Sequence, residues 1–263
     1  TKIENWKIQN AGGYPYDNIG YWAVSVSNGN IVSKCEIKNS YRAVYFSDNA
    51  QILNNSFSNI DNYPLGRTVN QGTPVLIGNT VANVGNIGIL IGAFGADSPT
   101  VKSFDFGGFT NVAYFIENTQ TIAAGNVVSI DPGIVVKYTP NGLLSVNGAV
   151  KAIGKANNKI IFTSIKDDSG AGDSNNNGTA TTPAAGDWYG INYSGTASDV
   201  DNILKNCEIR YSGTYYYSGT KGAIRITDCK VSMDSVKVNF SNSCALGIFG
   251  TANPVIKNSQ FYN

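Results

Sequence analysis

Short apolar runs recur along the whole chain, each followed by a polar turn. The windows WKIQNA (6–11), CEIKNS (35–40), NSFSNI (55–60), TVANVG (80–85), FDFGGF (104–109), CEIRYS (207–212), VKVNFS (236–241) and SQFYN (259–263) align on one apolar position. Their shared residues are Ile8, Ile37, Phe57, Val81, Phe106, Ile209, Val238 and Phe261. Where the series is unbroken the spacings are 29, 20, 24 and 25, and later 29 and 23. Five residues before each stands a second large apolar residue: Ile3, Val32, Ile52, Leu76, Val101, Leu204, Met233 and Ile256. Two residues after, Asn recurs as Asn10, Asn39, Asn59, Asn83 and Asn263. Asn tolerates the left-handed backbone of a tight turn and can hydrogen-bond an Asn one coil away.

A second strand repeats between these. GYWAVSVSN (20–28) aligns on SYRAVYFSD (40–48), and NIGILIG (86–92), NVAYFIE (111–117) and KGAIRIT (221–227) share its small-residue-then-apolar-x-apolar core. Alternation points Val24/Val26, Val44/Phe46, Ile89/Ile91, Tyr114/Ile116 and Ile224/Ile226 inward. A coil of this length cannot bury its apolar side alone, so coils stack and share one core. The prediction is an all-β parallel solenoid covering 1–263 as one domain, with a seam near 118–126 and one long polar loop at 167–187. Helix signals are nearly missing, because no long stretch has a 3.6-residue period and Gly interrupts every few residues. The chain opens and closes mid-pattern, which reads as a piece of a longer chain.

These repeats resemble the right-handed parallel β-helix of the pectin-lyase-like superfamily. The stretch AGNVVSIDPGIVVKYTPNGLLSVNGAVKAIGKANNKIIFTSIKDD (124–168) further resembles the opening coils of β-helix regions in large bacterial surface proteins. The resemblance implies an architecture more than a function, since function lives in sites grafted on a fold.

Composition narrows the function. Charged residues make up 14% and the net charge is +1. No basic cluster steers the chain to nucleic acid, and no apolar run approaches the roughly 18 residues of a membrane span. There is no His at all, which removes Ser-His-Asp and Cys-His catalysis and His-metal sites. Two carboxylates can run a glycosidase, but the adjacent pair Asp167-Asp168 sits at the mouth of a Gly/Asn loop. Of the four Arg, only Arg42 and Arg225 look aimed from a strand. A polysaccharide lyase or hydrolase is therefore the second reading, and a structural stalk the third.

The loop carries its own signal. Asp173-Ser-Asn175-Asn-Asn177-Gly178 reads D-x-N-x-N-G, the first half of an oxygen-ligand calcium loop. Ala184 stands where the closing acid would be, so Asp167, Asp168 or Asp187 would complete a structural Ca2+ site. The bland alternative is a solvated Asn/Gly turn. Trp188 is expected to anchor the base of the loop.

Aromatic residues suggest a binding face. Trp6, Trp22, Phe46, Phe57 and Phe104 are expected in the core. Tyr21 over Tyr41, and Ser25 over Tyr45 with Leu90 and Phe115 continuing the column, are expected on the outside. Tyr215, Tyr216 and Tyr217 follow each other in a Gly/Ser turn. Tyr rings stack on sugar faces while their hydroxyls hydrogen-bond, and a flat column of rings suits an insoluble glycan such as cellulose. The same column could equally be covered by another part of the chain. With that face, the pattern resembles the C-terminal domain of the tāpirins, which implies a non-catalytic adhesin. The expectation is thus a monomeric, extracellular, cell-surface protein that binds insoluble plant polysaccharide. It makes no nucleic-acid contact and does not insert in a membrane. The four Cys (35, 207, 229, 244) lack a C-x-x-C spacing and are expected to be mostly free, buried thiols.

Overall fold

The fold was established from a computed structural model, which describes residues 1–12, 22–195, 202–214 and 222–262. Among these there are only strands and turns, and every strand ladder is parallel. The strands fall into four separate sheets. The first joins Lys2–Glu4, Ile31–Ser33, Gln51–Leu53 and Val75–Ile77. The second joins Lys7–Gln9, Glu36–Ser40, Ser56–Ile60 and Thr80–Val84. A large third sheet of 14 strands starts at Val24–Val26 and runs through Val44–Phe46, Leu65–Val69, Gly88–Phe94, Ala113–Ile116, Val135–Tyr138 and Ile160–Ser164. The fourth begins only at Thr119–Ile122 and continues through Leu143–Val146, Gly190–Tyr193, Ile224–Thr227 and Leu246–Phe249.

The repeat columns are real ladders. Ile8 pairs with Ile37, Ile37 with Phe57, and Phe57 with Val81. Ile3, Val32, Ile52 and Leu76 form the parallel column in the first sheet. Val32, Ile37, Ile52 and Phe57 are sealed in one continuous core, which each coil could not have made alone, and Ile3, Ile8, Leu76 and Val81 pack against it partly buried. The corners are turned by Asn in the left-handed region, at φ 53° for Asn39, 52° for Asn59 and 53° for Asn83. Their side chains link the coils: Asn59 Nδ2 donates to Asn39 Oδ1 at 2.9 Å, and Asn83 Nδ2 to Asn59 Oδ1 at 2.7 Å. Asn263 lies outside the described residues.

Two expectations for the core need correction. Trp6 is 61% exposed. It stands at a corner that holds Cys35 and Asn55 in the following coils, and a corner of that size turns an indole outward. Trp22 packs on the outside of the third sheet rather than in the core. The four thiols form no disulfide; three are buried and Cys244 is exposed. Burial pushes the Cys207 thiol up to about 12, as expected of an apolar core residue.

The changeover at Thr119 reassigns the faces. The third sheet takes the last strand of each early coil but two strands of each later one, such as Val127–Ile130 with Val135–Tyr138 and Ala149–Ile153 with Ile160–Ser164. The long strands Ile203–Arg210 and Ser232–Asn239 bend at left-handed Asn206 and Ser235. The first half of Ile203–Arg210 pairs with Ala149–Ile153 and its second half with Ile160–Ser164. No helix among the described residues is long and apolar enough to cross a membrane.

Candidate functional site

Along the outside of the third sheet, register places Ser25, Tyr45, Gly66, Leu90, Phe115, Lys137 and Thr163 in one row. The row is the one that alternation predicts, but most of it is not open to solvent. Phe115 and Leu90 are buried, so the expectation of an exposed Phe115 is corrected. They form a second, smaller apolar cluster with Tyr63 and Ala113, packed under Trp22 and Ile165. The Tyr63 ring sits 5.2 Å from that of Phe115. Alternation tells which side of a strand a residue leaves by, not what later lies over it.

Two covers close this face. The first is aromatic. Gly66 and Gly92 leave the sheet bare where Trp22 and Tyr45 lie across it: a Cβ at Gly66 would meet Trp22 Cζ2 at 2.3 Å, and one at Gly92 would meet Tyr45 Oη at 2.4 Å. The two rings are 5.4 Å apart and tilted by 48°, and both are partly buried. The Tyr45 hydroxyl shares a 2.8 Å hydrogen bond with Thr68 Oγ1. Arg42 stands in the middle, 5.5–5.7 Å from the rings of Trp22, Tyr41 and Tyr63 and ion-paired with Glu117. Such cation–π contacts favour Arg over Lys. Half-buried Tyr41 accepts a hydrogen bond from Asn62 Nδ2 at 2.9 Å. Burial pushes the Tyr63 hydroxyl well above its ordinary value, and the Glu117 charge adds to this.

The second cover is the polar loop after Ser164. It doubles back across three coils. Gly170 passes over Val135, Ile161 and Thr163. The Lys137 ammonium donates to the Gly172 carbonyl at 2.9 Å. The Ile87 amide donates to the Ser174 carbonyl at 2.7 Å, and Asn176 Nδ2 to the Val84 carbonyl at 2.7 Å. Trp188, fully buried and stacked on Tyr138, closes the loop at its base, as expected.

The loop's acids divide by role. Asp167 accepts from Thr163 Oγ1, from the Ser169 amide and hydroxyl, and from Arg210. Burial alone would raise its pKa, but those hydrogen bonds and the Arg210 charge hold it below the usual value. Asp187 accepts from Ser164 Oγ, Lys166 Nζ and the Ala184 amide. Both therefore pin the ends of the loop. Asp173 turns it, accepting from the Asn177 amide at 3.0 Å and the Gly178 amide at 2.8 Å. Among the described residues no group of three His, Cys, Asp or Glu is placed to hold a metal.

Between the loop and the turn at 105–112 the surface sinks. One depression of about 380 Å3 lies between Phe109, Thr110 and the loop residues Ala171–Ser174, and a second of about 280 Å3 lies on the other side of Phe109 beside Asn79 and Asp105. Phe109 is 45% exposed. Trp22, Arg42, Gly66, Gly92 and Phe109 were not singled out as binding residues by the sequence. The signal for the glycines is their place in the Tyr45 row, for Gly66, or beside it, for Gly92, which only the register reveals. Tyr21, Tyr215, Tyr216 and Tyr217 lie outside the described residues. No protein-family model, curated protein or solved structure matches this chain.

Proposed function

We propose that this chain is a non-catalytic, extracellular carbohydrate-binding solenoid that adheres to insoluble plant polysaccharide, cellulose being the first candidate. In architecture this reading takes it as a right-handed β-helix of the pectin-lyase-like kind, used as a tāpirin-type adhesin at a cell surface. The observation that carries the reading is the aromatic strip. Trp22 and Tyr45 lie across bare glycine backbone, so one side of each ring rests on protein and the other remains for a sugar. Tyr41 and Arg42 supply hydrogen-bonding groups at its edge. Rings held in this way lose little freedom on binding, which favours stacking on a rigid, flat ligand. A second reading has a single glycan chain in the depressions on either side of Phe109, where an exposed ring is flanked by Asn79, Asp105 and the polar loop.

The test is a pull-down on microcrystalline cellulose with the supernatant assayed for released sugar. The wild type, Trp22→Ala, a Tyr41→Ala/Tyr45→Ala pair and Phe109→Ala are compared, each first checked for an unchanged far-UV spectrum. Binding without sugar release, lost in the strip variants, supports the proposal. Loss only in Phe109→Ala moves the site to the depressions. No binding of the wild type, or soluble sugar in the supernatant, overturns it.

A further inference from the structure

The loop holds oxygens that nothing in the protein satisfies. Asn175 Oδ1, Asn177 Oδ1 and Asp168 Oδ1 are all sealed from solvent and accept no hydrogen bond. Buried acceptors of this kind are uncommon in folded proteins and call for a partner. All three belong to the loop, and Asn175 and Asn177 stand two residues apart in it. Both Asn amides turn their nitrogens to one atom, Thr181 Oγ1, at 3.4 Å from Asn175 and 2.9 Å from Asn177. Asp173, two residues before Asn175, has its carboxylate fixed by the amides of Asn177 and Gly178. Asp168 and Asp173 both act on the Lys137 ammonium, which bonds to the Gly172 carbonyl.

We propose that Asp168, Asp173, Asn175 and Asn177 form a binding site for a hard divalent cation of the Ca2+ type, which orders the loop against the third sheet. The donors are two carboxylates and two amide oxygens. Such a set suits Ca2+, which accepts six to eight oxygens in flexible geometry, and does not suit Zn2+, which takes nitrogen and sulfur. With only two carboxylates the affinity falls at the weak end, on the order of 10⁻⁴ to 10⁻³ M, as for extracellular modules. Asp167 and Asp187 are not ligands, because Arg210 and Lys166 with their hydroxyl neighbours already occupy them. Ser174 and Asn176 alternate with the ligands and serve docking instead, bonding to Ile87 and Val84. One short segment thus alternates cation-facing and solenoid-facing groups. The cation also sets the wall of the depression beside Phe109, which Asp173 lines.

The experiment titrates CaCl2 into the EDTA-treated chain, with MgCl2 as control, reading heat of binding and the thermal midpoint without any polysaccharide. The expected result is saturable binding with a rise in midpoint, and a much weaker response to Mg2+. In an Asn175→Ala/Asn177→Ala variant the affinity should fall at least tenfold. The midpoint of that variant without metal should match the wild type without metal, which separates a lost ligand from a broken fold. Limited proteolysis within 167–187 should slow with Ca2+ in the wild type only. No binding heat and no midpoint shift, or an unchanged response in the variant, overturns the site. Because no glycan is present, this outcome is independent of the adhesion assay.

Discussion

Trp188 lies flat on Tyr138, with ring centroids 3.9 Å apart and planes 8° from parallel. The indole nitrogen donates to the Arg210 carbonyl at 2.8 Å. One side chain thus seals the core, closes the loop and ties it to the following coil. Trp188→Ala should cost about 3–5 kcal/mol, the usual range for emptying an aromatic core site. Trp188→Phe should recover part of this, since stacking survives and the Arg210 carbonyl loses only one donor. Urea unfolding of the three proteins measures it. A loss in Trp188→Ala below about 1 kcal/mol would mean that the loop is held elsewhere.

Lys137 is fully buried on the outer face, beneath the loop. Burial lowers its pKa to about 8, against the opposing pull of Asp167, Asp168 and Asp173. Below that value the folded protein carries a buried charge that the unfolded chain leaves in water. As pH rises from about 8 towards the ordinary lysine value, the unfolded chain binds more protons than the folded one, so stability increases. The full effect is at most roughly 3 kcal/mol, and less with the neighbouring carboxylates relaxing. In Lys137→Met the gain between about pH 8 and 10 should disappear. Urea midpoints across that window decide the matter, and equal slopes in both proteins would refute the assignment.

Asn59 does two jobs that substitution can separate. It holds a left-handed turn and carries side-chain bonds to Asn39 and Asn83. Asn59→Gly keeps the turn and loses the bonds, at about 1 kcal/mol for an exposed ladder. Asn59→Ala loses the bonds and strains the backbone as well, adding about 1–2 kcal/mol. A Gly variant as unstable as the Ala variant would show that the turn conformation contributes nothing separable.

Much of this architecture was legible in the sequence. The columns through Ile8 and Ile3 and the Asn at each corner follow from a period that the apolar positions cannot hide. The grouping of Ile209 with Ile8 was less sound. CEIRYS and CEIKNS look alike, yet Ile37 pairs within the second sheet and Ile209 pairs with Phe162 in the third. Local sequence reports the shape of a coil but not which sheet it joins. Phe115 shows the same limit at the candidate site. Its outward direction was readable, whereas its cover comes from Tyr63, Trp22 and Ile165, which no periodicity connects. The roles of Asp167 and Asp187 were hidden for a similar reason, since their partners Arg210 and Lys166 gain meaning only once the loop has folded back.

That doubling back has a consequence for how the molecule comes apart. Stacked coils normally touch only their neighbours, so such a protein can fray from either end, one layer at a time. Here the loop leaves the coil of Ile160–Ser164 and grips the coil of Thr80–Val84, roughly 14 Å away at the usual strand spacing. The layers between are strapped at both sides and cannot open singly. Their amides should exchange with solvent as one cooperative block, while the coils beyond the strap remain free to breathe.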